Sequence, residues 1–187
     1  MNQVFCSIIT IGDELLIGQT IDTNSAWIAQ QLNTIGITVK HRIAVGDNKQ
    51  DILFALEEES KQVSLIILTG GLGPTADDIT KPLLCEYFDT EMVENKEVLA
   101  HVTKIFITRN RPILEVNLRQ AMLPKNCQVL FNQVGTAAGM WFEKNNVVYI
   151  SLPGVPFEMM HILEEVGLAK IRTHFVTPNI IHRTVVT

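Results

Sequence analysis

The run Thr69-Gly70-Gly71-Leu72-Gly73-Pro74-Thr75-Ala76-Asp77-Asp78-Ile79-Thr80-Lys81, directly after the apolar Leu65-Ile66-Ile67-Leu68, constrains this chain more than any other segment. A short aliphatic run closed by glycine reads as a buried strand, with a helix expected from Thr80 onward. Gly70, Gly71 and Gly73 let the backbone enter conformations closed to other residues and let amide N–H groups approach an anion such as phosphate. The helix that follows points its partly positive end at the same spot. Asp77 and Asp78 would repel a phosphate on their own. Beside Thr75 and the three glycines they point either to a bridging divalent cation or to general-base work on a water. A tight strand-to-helix turn with Asp as N-cap is the plain alternative.

The chain before this loop alternates strand and helix. Val4 to Ile11 reads as a strand, residues 12–18 as a connection, and Asp22-Thr23-Asn24-Ser25 as the cap of a helix with Ile28, Leu32 and Ile35 on its apolar face. Gly36 sits where a C-cap belongs, Ile37 to Val45 resumes a strand, and a second helix starts near Asn48 with Ile52, Leu53 and Leu56 inward. Strand, helix, strand, helix, strand defines an α/β fold with a mostly parallel sheet covered on both faces, whose ligands bind beyond the carboxyl ends of the strands. Further on, helices are expected over 80–88 and 94–108, a short helix over 116–122 and a short strand over 128–131. A small β-hairpin turns through Glu143-Lys144-Asn145-Asn146, and a last helix carries Met159, Leu163 and Val166. The acidic run Glu57-Glu58-Glu59 is expected on the solvated face of its helix. Residues 1–170 make one domain, and 171–187 read as a linker or the first strand of a further one.

Composition narrows the function classes. The 187 residues, 47% hydrophobic and 19% charged, suit one medium domain with a real core, and no apolar run approaches the ~20 residues of a membrane span. The N-terminus opens on a strand-like run with no basic region or cleavage pattern, so a cytoplasmic protein is expected. A net charge of −5 argues against nucleic acid as a partner. The three cysteines, Cys6, Cys85 and Cys127, are widely spaced and read as buried small hydrophobes, and the five histidines show no metal-ligand spacing.

Four segments together carry a family resemblance: Gly12-Asp13-Glu14-Leu15-Leu16-Ile17-Gly18 with Asp22-Thr23-Asn24-Ser25; Thr69 to Lys81; Gly135-Thr136-Ala137-Ala138-Gly139-Met140; and Leu152-Pro153-Gly154-Val155-Pro156-Phe157-Glu158-Met159. With them the chain resembles the N-terminal domain of the competence/damage-inducible CinA family, which has the molybdopterin-binding (MoCF) fold of molybdenum-cofactor biosynthesis proteins. The resemblance implies a three-layer α/β/α domain whose loops converge on one pocket. It implies that Glu14, Asp47 and Asp78 line the pterin or nucleotide site with Lys81 beside them. From the residues alone, Asp47 reads equally as a helix cap and Glu14 as part of an exposed turn. Gly135 and Thr136 read as phosphate or ribose ligands or as a plain turn, and Pro153-Gly154 as a stiff corner with free amides or a structural one. Trp27 and Trp141 read first as core residues and second as stacking platforms for a base.

The resemblance also implies an activity: hydrolysis of the ADP-ribose pyrophosphate to AMP and ribose 5-phosphate with a divalent ion, Mg²⁺, Mn²⁺ or Co²⁺. Asp78 with Asp77 or Glu14 would hold the ion, Asp47 would orient a water, and the glycine-loop amides would take a phosphate. Molybdopterin adenylation and non-catalytic nucleotide binding are the rival readings. The family further implies a homo-oligomer and, in the full-length protein, a C-terminal amidase-like domain, none of which lies in these residues.

Overall fold

The computed structural model describes residues 3–75 and 78–175. In chain order the elements are β1 (Val4–Ile11), α1 (Asp13–Leu16), α2 (Thr23–Thr34), β2 (Ile37–Val45), α3 (Lys49–Ser60), β3 (Leu65–Thr69), α4 (Thr80–Tyr87), β4 (Met92–Glu94), α5 (Lys96–Thr108), α6 (Glu115–Leu118), β5 (Met122–Pro124), β6 (Gln128–Leu130), β7 (Gly139–Lys144), β8 (Val147–Leu152), α7 (Pro156–Ile162) and α8 (Leu168–Phe175). A single π-helical turn, Leu163–Gly167, joins the last two helices.

Six strands form one sheet in the order β2-β1-β3-β8-β7-β6. The four at its β2 side run parallel, so Thr10, Thr69 and Leu152 lie side by side at one edge. The β7–β8 hairpin reverses direction through Asn145 and Asn146, at φ 52° and 63°, as a tight turn of the primed type requires. The expected hairpin is therefore part of the main sheet. A separate antiparallel pair, β4 with β5, supplies the second, smaller sheet.

The central strands are buried from end to end, β3 and β8 at every residue. Near-continuous apolar runs belong in a sheet covered on both faces. One face packs Ile8, Leu65 and Ile150 against Ile28 and Leu32 of α2 and Met159 and Ile162 of α7. The other packs Ile9, Ile66 and Leu68 against α3, α4 and Val98 and Val102 of α5. These are the three layers. Fully buried Ile28 and Leu32 each contribute about 1.5–3 kcal/mol relative to exposure, which holds α2 and its N-terminus against the sheet edge.

Local differences from the sequence reading have physical causes. The connection after β1 winds into α1. Helix α5 begins after Glu94 because Asn95 caps it, accepting from the Glu97 and Val98 amides, which frees 92–94 to pair with β5. The acidic run is corrected: Glu57 is exposed, but Glu59 is buried, accepting from the Ser7 hydroxyl and bonded to His41 Nδ1 at 2.7 Å. Helix α8 runs through residue 170 to Phe175, and the tail from 176 lies outside the described residues. No described helix is long and apolar enough to cross a membrane.

Candidate functional site

The carboxyl ends of β1, β3 and β8 deliver three loops to one edge. Gly70, at φ +120°, lies so close to β1 that a Cβ would sit 2.3 Å from the Ile11 carbonyl oxygen; at Gly71, φ +64°, it would sit 2.2 Å from Thr80 Oγ1. Only glycine fits either position. The Asp78 carboxylate closes the loop from within. Its Oδ1 accepts the Gly73 amide at 2.8 Å, and its Oδ2 accepts the Thr75 amide at 3.0 Å and the Thr75 hydroxyl at 2.5 Å. Asp77 lies outside the described residues.

With the Gly73 and Thr75 amides used in this way, those of Gly71 and Leu72 have no partner among the described residues, nor do those of Gly154 and Val155 across the opening. All four residues line one cavity of about 340 Å³, together with Asp78, Gln120, Thr136, Pro153 and Glu158. Unpaired amides on residues that line a concave surface suit an anion.

A second cavity of about 130 Å³ adjoins it at Gly154 and is lined by Thr10, Glu14, Asp22, Asn24 and Thr69. Asn24 spans the seam, donating Nδ2 to the Gly154 carbonyl at 2.8 Å and to Thr69 Oγ1 at 3.2 Å. Thr69 in turn donates to the Pro153 carbonyl at 2.8 Å, which fixes the roles of both side chains. Ser25 turns inward: fully buried, it donates to Asp22 and accepts from Arg42 Nε at 2.9 Å.

The acidic residues divide between these features. Glu14 lines the smaller cavity and Asp78 the larger. Asp47 lines neither. Its carboxylate accepts the Asp13 amide, and Asp13 accepts the Asp47 amide, both at 3.1 Å. Asn48, not Asp47, caps α3. The Asp47 carboxyl is pushed above its ordinary range by desolvation first and then by the like charges of Asp13, Glu14 and Asp78. Among the described residues no three His, Cys, Asp or Glu side chains converge as a metal site.

Lys81 does not reach the cavity. Its Nζ, on a residue 5% exposed, donates to the Gln120 backbone oxygen at 3.1 Å and to Gln120 Oε1 at 3.0 Å. Burial lowers it to about 8 against the opposing pull of Asp78. Gly135 also differs in use: its amide is taken by Asn132 Oδ1 at 2.9 Å, while Thr136 lines the larger cavity. Trp141 is buried with its indole N–H on Glu143, and Trp27 packs against the α2 core. Among the polar side chains of the larger cavity, Gln120 and Glu158 are the two that sequence reasoning missed. Glu158 had a signal, as a carboxylate in the first turn of the helix that follows the Pro153-to-Pro156 corner.

A three-layer α/β domain with an anion-suited edge defines the class, and the sequence agrees. Residues 7–173 match the family described as "Probable molybdopterin binding domain", and the chain belongs to that family. It is 54% identical over 184 residues to a CinA-like protein of Cytophaga hutchinsonii and 51% identical over 182 residues to one of Flavobacterium psychrophilum. These alignments cover 98% and 97% of this chain and 44% of each relative, so the chain spans less than half of their length. Among solved structures it is similar to the CinA protein of unknown function from Thermoplasma acidophilum, with TM-score 0.80 and 31% identity over 90% of this chain and 99% of that one. The tungsten-cofactor-synthesizing MoaB of Pyrococcus furiosus shares the fold, with TM-score 0.60 and 21% identity over 94% of this chain and 96% of its own. The CinA resemblance of the four motifs is borne out.

Proposed function

We propose that this domain is a divalent-metal-dependent pyrophosphatase that takes ADP-ribose and releases AMP and ribose 5-phosphate. The observation that carries the reading is that Gly71, Leu72, Gly154 and Val155, whose amides have no partner among the described residues, line one cavity. A pyrophosphate there is met by four fixed donors that need no reorganisation as charge develops on its oxygens. The adjoining cavity, which shares Gly154 as a lining residue, offers room for the group on the other side of the anhydride.

The donor set suits a hard cation. Among the described residues it consists of the carboxylates Glu14 and Asp78, and an Mg²⁺-type ion is commonly held by one or two carboxylates plus the substrate's own phosphates and waters. Glu14 and Asp78 would hold it, and a cation would offset the like charges of Asp13, Glu14 and Asp78 that add to desolvation in raising the Asp47 carboxyl. Bound there, it would shield the pyrophosphate and acidify a water. The chain's own part is to grip the phosphates through the amides, to keep the glycine loop closed through Asp78, and to pin the two cavities together through Asn24.

Incubation with ADP-ribose and Mg²⁺, Mn²⁺ or Co²⁺, followed by chromatography, tests the reading. Equal release of AMP and ribose 5-phosphate supports it. Binding of ADP-ribose without release in any of the three ions overturns it, and tight binding of molybdopterin instead would favour the cofactor-biosynthesis role named for the family.

A further inference from the structure

Two carboxylates line the cavity of the glycine loop, and they are not equivalent. Both Asp78 oxygens are occupied by loop donors, Oδ1 by the Gly73 amide and Oδ2 by the Thr75 amide and hydroxyl. Glu158 is bound through one oxygen only. Its Oε2 accepts Asn132 Nδ2 at 2.6 Å, and Oε1 has no partner among the described residues. The surroundings fix this carboxylate in place. Asn132, 2% exposed, spends its other contacts on the 132–137 loop, donating to the Ala137 carbonyl and accepting the Val134 and Gly135 amides. The backbone at Gly135 then closes on the Glu158 carboxyl so tightly that a Cβ there would lie 2.1 Å from Cδ. One oxygen anchored by a buried asparagine, the other without a partner among the described residues, and the Gly135 backbone packed against the carboxyl make the arrangement a general base needs.

We infer that Glu158 is the catalytic base of this site, while Asp78 braces the glycine loop from which it would hold the ion. The inference rests on the pyrophosphatase reading above. In the step, the water oxygen forms a bond to phosphorus as Glu158 Oε1 takes its proton. The bridging P–O bond breaks, and its electron pair leaves with the departing phosphate. One anhydride and one water become two phosphomonoesters, with no further reactant.

The test compares wild type, Glu158→Gln and Asp78→Asn in ADP-ribose turnover with Mg²⁺, in calorimetric binding of AMP, and in thermal unfolding. Glutamine keeps the acceptor that Asn132 requires, so Glu158→Gln is expected to lose about 100-fold or more in kcat, with AMP affinity and Tm within error of wild type. Asp78→Asn is expected to lower Tm as well, because one of its loop donors faces an amide NH₂. Wild-type turnover with Glu158→Gln within about threefold of it overturns the inference while leaving the pyrophosphatase standing. So does a Glu158→Gln loss that is matched by a fall in Tm and is not reproduced by Glu158→Asp at retained Tm. No turnover by wild type overturns both.

Discussion

Asn24 holds Gly154 across 130 residues of sequence, its Nδ2 2.8 Å from the glycine carbonyl, and so ties the N-terminus of α2 to the corner between β8 and α7. That bond is the seam between the two cavities, since Gly154 lines both. Asn24→Ala is expected to lower stability by about 1 kcal/mol, the ordinary worth of a lost hydrogen bond. It should raise KM for ADP-ribose more than it lowers kcat, because it loosens the cleft without touching the reacting atoms. Urea titration and steady-state kinetics on one preparation check both.

Backbone crowding at the site gives a sharper contrast. At Gly70 a Cβ meets the Ile11 carbonyl at 2.3 Å, and backbone cannot step aside; at Gly18, φ +74°, nothing lies within 4 Å. Gly70→Ala should therefore cost several kcal/mol or prevent folding, whereas Gly18→Ala should cost only the strain of its conformation, about 1 kcal/mol. Chemical denaturation of the two variants measures the difference.

Lys81 predicts a stability that rises in mild alkali. The unfolded side chain keeps its proton to about 10.5, while burial lowers the folded value to about 8. Between those limits the unfolded state binds more protons, so stability climbs with pH across that window; below about 8 both states are charged and the penalty is present in full. At 1.36 kcal/mol per unit the whole climb is about 3 kcal/mol. The thiols of Cys6 and Cys127, raised by burial, act in the opposite direction in the same range. Unfolding free energies of wild type and Lys81→Met from pH 7 to 10.5 isolate the lysine: the gap should move in favour of wild type as pH rises.

The strands of the main sheet, the starts of α2 and α3 and the position of the glycine loop are legible because they depend on local chemistry. Val4–Ile11 and Leu65–Thr69 are apolar because both faces of the sheet are covered, and Asp22 and Asn48 precede helices whose first amides they accept. What was illegible depends on distant partners. The three-residue pairing of β4 with β5 has no local signature, and nothing near Lys81 announces Gln120. Asp78 is legible as a site residue but its bonds to the Gly73 and Thr75 amides are not, since a carboxylate closing its own loop and one open to a ligand look alike in sequence. Glu59 was misjudged as part of a charge run, although it falls seven residues after Ile52 and three after Leu56, on the apolar face.

That inward glutamate is testable on its own. Glu59, 5% exposed, holds the Ser7 hydroxyl and His41 between β1, β2 and α3. Glu59→Ala leaves the buried Ser7 hydroxyl without its acceptor and should destabilise the domain by about 1–3 kcal/mol, with kcat and KM unchanged because the site lies at the far end of the strands. Thermal unfolding beside steady-state kinetics checks both halves.

The central claim is that the cavity between the glycine loop and the Pro153–Val155 corner receives a pyrophosphate. The most direct measurement is a crystal structure with Mg²⁺ and an ADP-ribose analogue whose bridging oxygen is replaced by methylene. The expected result places phosphoryl oxygens within about 3.2 Å of the Gly71, Leu72, Gly154 and Val155 amide nitrogens, with Glu158 facing the phosphorus. An analogue bound elsewhere, or bound with its phosphates turned away from those amides, would contradict it.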